Sequence, residues 1–254
     1  MFKKILINSN KVNLKSSDFK KYETDGFYLR KNFFSKKTAK ELKKYAEKYY
    51  GEPPRYPITL NIHRKDENFL NVITDKNLTK LVKFFQKSKI DALNDQMIYK
   101  KKKSTYAGQS WTYHQDNSYP RAKYGSYVIV HFFLDDSTPK NGGLIFFKGS
   151  HKENLLPNKL RVSHRERKNK KGVTRPGRTI NKIDMERVKN TYQKIDLNAS
   201  SGSICVMHSY LVHGSYPNNS KIKDRATYSM AYLNRGSRLK FSGLVSKKIR
   251  TKIN

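Results

Sequence analysis

Two histidines and one aspartate are the residues of this chain whose types and spacing best suit metal chemistry. His114 and Asp116 stand two apart in the stretch WTYHQD. On an extended strand, residues two apart project from the same face, so one imidazole and one carboxylate would point the same way. A second imidazole from His213, in the stretch LVHGS, would complete a triad of two histidines and one carboxylate. Such a triad leaves one face of an octahedral metal open and suits non-haem Fe(II) that works with dioxygen.

Two other histidines must be distinguished from these ligands. His208 lies only five residues before His213 and is the rival for the third ligand position, although the HGS context favours His213. His131 lies between apolar residues of a strand pattern, so we expect it in the core or in the wall of a cavity. A histidine taken alone is more often a hydrogen-bonded structural residue than a ligand.

The elements that must position the triad change from helices to strands along the chain. We predict a short strand entering from a turn within 19–34, a helix over Lys36–Tyr50 capped by Ser35, a proline-rich loop over 52–60 and a helix over 78–87. Further strands are predicted at 96–100, 127–134, 143–147, 203–206, 210–213 and 225–233. Many short strands with few helices between them indicate a mainly β protein with flanking helices, built as an antiparallel sandwich or a jelly roll. The mouth of such a small barrel can hold one ligand.

Length and composition predict one domain over residues 1–254 with a basic insert at about 152–196. The chain has 254 residues and 36% hydrophobic content, which is enough to bury one substantial core. Between residues 152 and 194 there are fourteen Lys or Arg against four Asp or Glu. One interpretation is a solvated loop with a disordered tip. The other is an element that folds over the barrel mouth, with its flanks contacting the substrate.

The formal net charge of +34 favours anionic partners such as nucleic acid, acidic lipid head groups or phosphorylated and carboxylated substrates. The alternative is a compositional bias that scatters lysines over a solvated surface. No apolar stretch approaches the ~18 residues of a membrane span, and the apolar run after the first lysines is too short for a signal peptide. Cys205 is the only cysteine, which fits a reducing compartment. We therefore expect a cytoplasmic protein.

Five motifs, by their residues and their order along the chain, resemble those of the phytanoyl-CoA dioxygenase-like family of Fe(II)/2-oxoglutarate oxygenases. This family includes the ectoine hydroxylases. The motifs are DGFYLRKNFFS, HQD, LDDSTPKNGGLIFFKGSHK, GSICVMHSYLVHGSYPNNS and DRATYSMAYLN. HQD alone is a weak signal, but the series in register is specific. The resemblance covers most of the chain and implies a double-stranded β-helix, the cupin-like form of the jelly roll.

The resemblance implies a role for each matching residue. His114, Asp116 and His213 would hold Fe(II), and Arg225 would bind the distal carboxylate of 2-oxoglutarate. A guanidinium binds a planar carboxylate through two parallel bonds, which a lysine cannot do. Further cosubstrate contacts would come from three other residues: Ser215, Thr227 and Gln96. Because Asp116 is a carboxylate, the site resembles that of a hydroxylase and not that of a halogenase.

The activity implied is the hydroxylation of a small molecule with 2-oxoglutarate as cosubstrate and L-ascorbate as an accessory reductant. On the substrate side we place Arg121, Asn117 and Trp111, which lie close to the metal motif. Arg121 follows Pro120 in a loop leaving the metal strand, so it would reach the pocket rim and select an anionic substrate. The alternative is that Arg121 pairs with a surface carboxylate such as Asp135 or Asp136.

Two other functions stay open at this point. One keeps the enzyme class but makes the substrate a nucleic acid or a polysaccharide. The other is a basic nucleic-acid-binding module without turnover, since the chain has 17 Tyr and 13 Phe that could stack on bases. No recognised nucleic-acid signature arranges these aromatics.

Overall fold

Antiparallel strands form most of the computed structural model, which describes residues 4–50, 58–104, 110–161, 177–239 and 250–253. The strands are β1 Phe27–Arg30, β2 Ile58–Leu60, β3 Ile90–Lys100, β4 Trp111–His114, β5 Tyr127–Phe133, β6 Leu144–Phe147, β7 Asn158–Arg161, β8 Gly177–Ile180, β9 Lys194–Asp196, β10 Ile204–His208, β11 His213–Ser215, β12 Arg225–Asn234 and β13 Thr251–Lys252. The helices in the described residues are α1 Ser16–Asp25, α2 Lys36–Tyr50, α3 Glu67–Ile73, α4 Lys76–Gln86 and α5 Lys182–Thr191.

Two antiparallel sheets and one hairpin account for these strands. The large sheet has the order β1-β10-β5-β12-β3-β13, with β2 also paired to β3. The smaller sheet has the order β4-β11-β6-β9, and β7 pairs with β8 alone. Ile129 and Phe133 from the large sheet pack in one apolar cluster with Leu144 and Phe146 from the smaller one. The two sheets therefore face each other across a shared core, which confirms the expected jelly roll.

Strand β5 shows how the sequence selects its two faces. All seven of its residues are buried. Ile129 and Phe133 contact the smaller sheet, whereas Val128 and Val130 pack in the cluster that contains the helices. Because side chains alternate along a strand, a slip of one residue would exchange these two sets. The continuous apolar pattern thus reflects a strand covered on both faces.

The helices cover the outer face of the large sheet. In α2 the backbone N–H of Thr38 donates to Ser35 Oγ at 3.0 Å, which confirms the predicted cap. Leu42 of this helix is fully buried in the cluster beneath it. Helix α4 confirms the predicted second helix within a few residues. No helix in the described part of the chain combines the length and the apolar character needed to span a bilayer.

Several predicted elements differ from the structure. The short strand predicted within 19–34 is present as β1 and follows a turn at Gly26. The helix α1 before that turn was not predicted; in it Phe19 and Tyr22 pack at helical spacing against Phe84 and Phe85. The expected strand at 210–213 begins only at His213. Of the proline-rich segment, residues 51–57 lie outside the described residues, and Ile58–Leu60 forms a strand.

The basic insert is more regular than an open loop. Its flanks form the β7–β8 hairpin and α5, where Met185 and Val188 pack in an apolar cluster with β6 residues. The tip at 162–176 lies outside the described residues. Whether residues 1–254 form one domain stays a prediction.

Asp95 joins the helical layer to the large sheet. Its side chain accepts bonds from the backbone N–H groups of Ile62 and His63, at 2.6 and 2.7 Å, and from the hydroxyl of Tyr228 at 2.5 Å. The His63 ring lies 2.7 Å from the same carboxylate. All these groups are buried, so each depends on Asp95 for its partner.

We expect Asp95→Ala to lower the free energy of unfolding by about 3–5 kcal/mol, because it leaves several buried donors without an acceptor. Tyr228→Phe removes one donor and leaves the other bonds intact, so it should cost only about 1 kcal/mol. Urea unfolding followed by circular dichroism measures both. Equal losses in the two variants would show that Asp95 does not organise this contact.

Candidate active site

The three metal-binding candidates meet at the start of the smaller sheet. His114 on β4 and His213 on β11 are direct cross-strand partners, and their ring centroids lie 4.2 Å apart. Strand β4 ends at His114, but Gln115 is still extended, with φ −117° and ψ 129°. Asp116 therefore returns to the face of His114, as the spacing predicted. One ligand atom from each of the three residues lies within 4.8 Å of the others.

Backbone carbonyls orient both imidazoles. His114 Nδ1 lies 2.7 Å from the carbonyl oxygen of Thr112, and His213 Nδ1 lies 2.9 Å from that of Leu211. A carbonyl only accepts, so each Nδ1 carries the proton and donates it. The Nε2 atoms then face Asp116, at 3.4 Å and 3.7 Å from its two oxygens. The bonds from Nδ1 to the backbone carbonyls fix the tautomer in which Nε2 is free to bind a metal.

The charges within the triad suit a divalent cation. Burial alone would raise the pKa of Asp116, but His213 and His114 hold it well below its usual range. Burial and the neighbouring His114 lower the pKa of His213 to about 4. At neutral pH the site therefore offers an ionised carboxylate and at least one neutral imidazole, which are the protonation states for metal binding.

Gln115 and Asn117, which flank Asp116, hold the loop after β4 in place. Gln115 points away from the triad, where its amide nitrogen donates to the carbonyl of Tyr210 at 2.8 Å and its oxygen accepts from the N–H of Leu156 at 2.8 Å. Asn117 exchanges two bonds with the backbone of Ala122, at 2.8 and 3.0 Å. Asn117 has no exposed surface, so these bonds give it a role in shaping the loop. Its predicted contact with a substrate has no support from them.

Arg225 provides a buried cationic group at the start of β12. Its Nε and Nη2 donate to the carbonyl of Gly142 at 3.0 and 2.6 Å, and its Nη1 donates to Thr227 Oγ1 at 3.1 Å. The residue is 2% exposed, yet none of the ion pairs among the described residues includes it. A buried guanidinium held only by neutral acceptors is suited to receive an anionic ligand. The 2-oxoglutarate carboxylate expected here fits that requirement.

Lys100 is a second buried cation that the sequence analysis missed. It is the cross-strand partner of Arg225, and its Nζ donates to Ser215 Oγ at 2.7 Å and to the carbonyl of Tyr216. Burial and the positive charge of Arg225 lower the pKa of Lys100 to about 5. The signal was present in the sequence: Lys100 is four residues from Gln96, so period two puts both on one face of β3.

His131 is buried, as expected for a residue of the core or of a cavity wall. It shares a cross-strand row with Ser229 and, beyond that residue, Gln96. His131 is buried, and neither ring nitrogen has a partner within the described residues. Burial lowers its pKa to about 3, while the Asp116 carboxylate opposes this shift and Arg225 adds to it. His131 is therefore a neutral imidazole with an unused donor and an unused acceptor.

Comparison with known proteins assigns the family. The family model described as phytanoyl-CoA dioxygenase (PhyH) matches residues 22–227, which include the whole triad and Arg225. The chain belongs to the phytanoyl-CoA dioxygenase family. This confirms the sequence-based expectation of an Fe(II)/2-oxoglutarate oxygenase at the level of the family. A search of curated protein sequences finds no significant match.

Solved structures of similar fold agree with this family. The 2-oxoglutarate-dependent carbocyclase SnoK from nogalamycin biosynthesis has a TM-score of 0.74 at 11% identity, covering 95% of this chain and 97% of that one. The epimerase SnoN, solved with Fe3+, alpha ketoglutarate and nogalamycin RO, has 0.72 at 13%, covering 94% of each chain. EctD from S. alaskensis, solved with 2-oxoglutarate and 5-hydroxyectoine, has 0.70 at 16%, covering 93% and 83%. At these identities the likeness establishes the fold.

Three other residues were predicted to contact ligands: Trp111, Gln96 and Arg121. Trp111 is half-buried, with its ring 6.4 Å from that of His114. Gln96 lies on the Lys100 face, but four residues along a strand span about 13 Å, so the two cannot hold the same carboxylate. Arg121 is exposed and adopts φ 48°. Asp135 is engaged by Lys43, so the described structure does not support pairing of Arg121 with that carboxylate. The contacts of these residues with ligands stay predictions.

His208, the rival ligand, lies outside the metal-binding group. Its Nδ1 accepts from the backbone N–H of Tyr210 at 3.2 Å, and its ring lies 5.0 Å from that of His151. Burial and the neighbouring His151 lower its pKa to about 3. At the end of β10, His208 is thus a neutral packing residue.

We expect His213→Ala to abolish stoichiometric binding of Co(II), used as a visible probe for Fe(II), because two remaining ligands do not complete the triad. His208→Ala, only five residues away, should keep the Co(II) spectrum of the native protein. Absorption titrations of both variants measure this. Loss of the Co(II) spectrum in His208→Ala but not in His213→Ala would instead identify His208 as the third ligand.

Proposed function

We propose that this protein is an Fe(II)- and 2-oxoglutarate-dependent dioxygenase that hydroxylates an anionic small molecule. The observation that carries the proposal is the pair of buried cations, Arg225 and Lys100, beside an intact His-Asp-His group. Neither cation has a carboxylate partner within ion-pair distance among the described residues. The cavity therefore combines a metal-binding group with a receptor for a dicarboxylic acid.

The triad would hold the metal through His114 Nε2, His213 Nε2 and one oxygen of Asp116. Three protein ligands on one face leave the other positions for cosubstrate and dioxygen. When bound, Fe(II) and 2-oxoglutarate supply the oxidation, in which the cosubstrate is converted to succinate and carbon dioxide and one oxygen atom enters a substrate C–H bond. The carboxylate of Asp116 keeps this position filled, which favours hydroxylation.

The cationic end of the cavity would orient the cosubstrate. Arg225 is restrained by Gly142 and Thr227, and Lys100 by Ser215, so both approach the distal carboxylate in fixed positions. An added Cβ at Gly142 would meet the Lys100 side chain at 2.5 Å, so the glycine permits this close approach. Restraint of this kind reduces the entropy lost on binding.

The wall opposite the metal would exclude water. His131 stays neutral at physiological pH and lies between apolar neighbours of β5, so it adds a donor without adding a charge. Ile129 and Phe133, on the same face, keep the surroundings apolar. A dry cavity strengthens the electrostatic contacts of the buried cations.

The substrate class follows from charge. The excess of positive charge, +34, and the cationic residues near the metal support an anionic acceptor. The related structures are described with small molecules such as 5-hydroxyectoine, which supports a small molecule over a polymer. A succinate-release assay with small anions, oligonucleotides and polysaccharides as candidate substrates would distinguish these classes.

We expect the Fe(II)-loaded protein to release succinate from 2-oxoglutarate slowly without added substrate. Arg225→Lys keeps the charge but loses the paired bonds, so its affinity for 2-oxoglutarate should fall by about 1.5–3 kcal/mol with Fe(II) binding retained. Anaerobic titration and succinate assays measure the two effects. A wild-type protein that binds Fe(II) but neither binds nor turns over 2-oxoglutarate would refute the proposal.

We also expect 2-oxoglutarate binding to take up protons through Lys100. The pKa of Lys100 is about 5 before binding. A nearby carboxylate raises it, so above pH 5 binding protonates the amine, and affinity falls as pH rises toward the pKa of the complex. Calorimetry at pH 7 in two buffers of different ionisation enthalpy should give an uptake of up to about one proton.

Lys100→Met is the matched variant for this linkage because it keeps the side-chain length without the amine. It should bind 2-oxoglutarate more weakly and with no buffer-dependent heat. Equal proton uptake in wild type and Lys100→Met would assign the linkage to another group.

A further inference from the structure

Strand β3 shows that the space between the two sheets is accessible to solvent on one side. Met97 and Tyr99 are buried in the apolar cluster that contains the helices. Asn94, Gln96 and Ile98 alternate with them along the strand and are partly exposed. Because successive side chains of a strand point to opposite faces, these three lie on the face turned away from the helices. The interior of the barrel is therefore open at β3.

One row of polar side chains crosses this inner face of the large sheet. Gln96 on β3 is the cross-strand partner of Ser229 on β12, and Ser229 is in turn the partner of His131 on β5. Residues paired in this way share a face of the sheet. His131 also shares its face with Ile129 and Phe133, which pack against the smaller sheet. All three polar side chains therefore project into the space between the sheets.

The metal-binding group faces the same space from the smaller sheet. His213 on β11 is the cross-strand partner of Phe146, and their ring centroids lie 6.5 Å apart. Phe146 packs with Ile129 in the apolar cluster that joins the two sheets. The face of the smaller sheet that carries His213 is therefore turned toward the face of the large sheet that carries the polar row.

Small side chains on β12 make the floor of a groove. Thr227, Ser229 and Ala231 lie on the inner face, and each stands between two larger residues. The larger residues are Phe133, His131 and Ile129 on β5, and Ile98, Gln96 and Asn94 on β3. Small side chains between larger ones leave a depression along the central strand. The polar groove is the part of it formed by Ser229, Ala231, His131, Gln96 and Asn94.

His131 is the member of the polar groove that has no hydrogen bond within the protein. It is 6% exposed, and neither Nδ1 nor Nε2 has a partner among the described residues. Burial of a polar group without a partner costs free energy, so such groups are rare in folded proteins. A neutral imidazole offers one donor and one acceptor. Both are available to a ligand that lies in the groove.

We propose that the polar groove binds an uncharged, hydroxyl-bearing part of the substrate, with His131 as the main contact. A hydroxyl both donates and accepts hydrogen bonds, as the imidazole, the serine hydroxyl and the carboxamides of the groove do together. None of these groups is charged, so a charged ligand group would be buried there without a counter-charge. The inference rests on the proposed oxygenase function and specifies the chemistry of its substrate.

The polar groove is separate from the cations expected to hold the cosubstrate. Ser229 lies four residues beyond Arg225 on β12, which is about 13 Å along the strand. Gln96 and Lys100 are separated by the same number of residues on β3. Gln96 is thereby assigned to the substrate, in place of the 2-oxoglutarate contact that the family resemblance implied.

The first measurement is the thermal midpoint of the full chain without ligands. His131→Leu replaces an imidazole that lacks partners with an apolar side chain of similar size, so the midpoint should stay equal or rise by about 2–4 °C. Tyr232→Phe is the matched control, because Tyr232 lies on the opposite face of β12 and its buried hydroxyl donates to the carbonyl of Ile73 at 2.7 Å. Loss of that bond should lower the midpoint by about 2–4 °C.

The second measurement is the binding of methyl α-D-glucopyranoside, an uncharged polyol, followed by saturation-transfer NMR. Wild type should show a saturable response. In His131→Leu and in Ser229→Ala the half-saturating concentration should rise at least about 10-fold, because each loses a hydrogen-bonding group of the groove. Tyr232→Phe should bind the glucoside as wild type does. Acetamide, titrated in parallel, distinguishes a hydroxyl from an amide.

A midpoint that falls as far in His131→Leu as in Tyr232→Phe would identify His131 as a structural residue and overturn the proposal. Absence of glucoside binding in wild type, an unchanged response in His131→Leu, or binding of acetamide alone would also overturn it. A wild type that binds the glucoside through His131 but does not bind 2-oxoglutarate would refute the oxygenase function and leave the groove as a binding site. The two failures are distinguishable because neither measurement uses iron or cosubstrate.

Discussion

Two basic side chains, Arg225 and Lys100, are buried side by side with no carboxylate in ion-pair distance among the described residues, and the cavity depends on this constraint. Burying an uncompensated charge is costly, and the chain reduces this cost with neutral acceptors placed around Arg225 and Lys100. The carbonyls of Gly142 and Tyr216 and the hydroxyl of Ser215 receive most of their donors. The low pKa of Lys100 shows that part of the cost is avoided by losing a proton. In the proposed function, the distal carboxylate of 2-oxoglutarate supplies the negative charge that Arg225 and Lys100 lack in the protein alone.

The need to hold Arg225 and Lys100 in place explains why motifs far apart in the sequence contact one another in the structure. The NGG loop supplies Gly142 to Arg225, and Asn141 beside it donates to the carbonyl of Asp224 at 3.1 Å. Asn218, beyond the HGS strand, donates to the carbonyl of Lys100 at 2.7 Å. These asparagines therefore tie the loops to the two strands that carry the cations. A change in one motif would displace the donors or acceptors of the others, so the motifs form one unit in space.

Helix and strand periodicity in the sequence predicted those features of the fold and the site that are set by residues close together in the chain. The cap at Ser35 and the shared face of His114 and Asp116 follow from helix and strand periodicity, and both appear in the structure. Lys100 was missed because four consecutive lysines resemble a solvated stretch, and only its pairing with Arg225 shows it to be buried. Helix α1 was missed because its segment mixes aromatic and charged residues without a clear helical pattern, whereas contacts with α4 decide its conformation. The roles of single residues toward ligands depend on contacts that the sequence does not encode locally.

The burial of Arg225 and Lys100 allows a more specific interpretation of the net charge of +34 than composition alone does. Exposed lysines interact with anions through solvent, and salt screens them within about 8–10 Å. Arg225 and Lys100 lie inside the barrel, where a carboxylate would be held at low dielectric and with fixed geometry. A gradient from screened surface charge to restrained buried charge would attract anions broadly and select among them only near the metal.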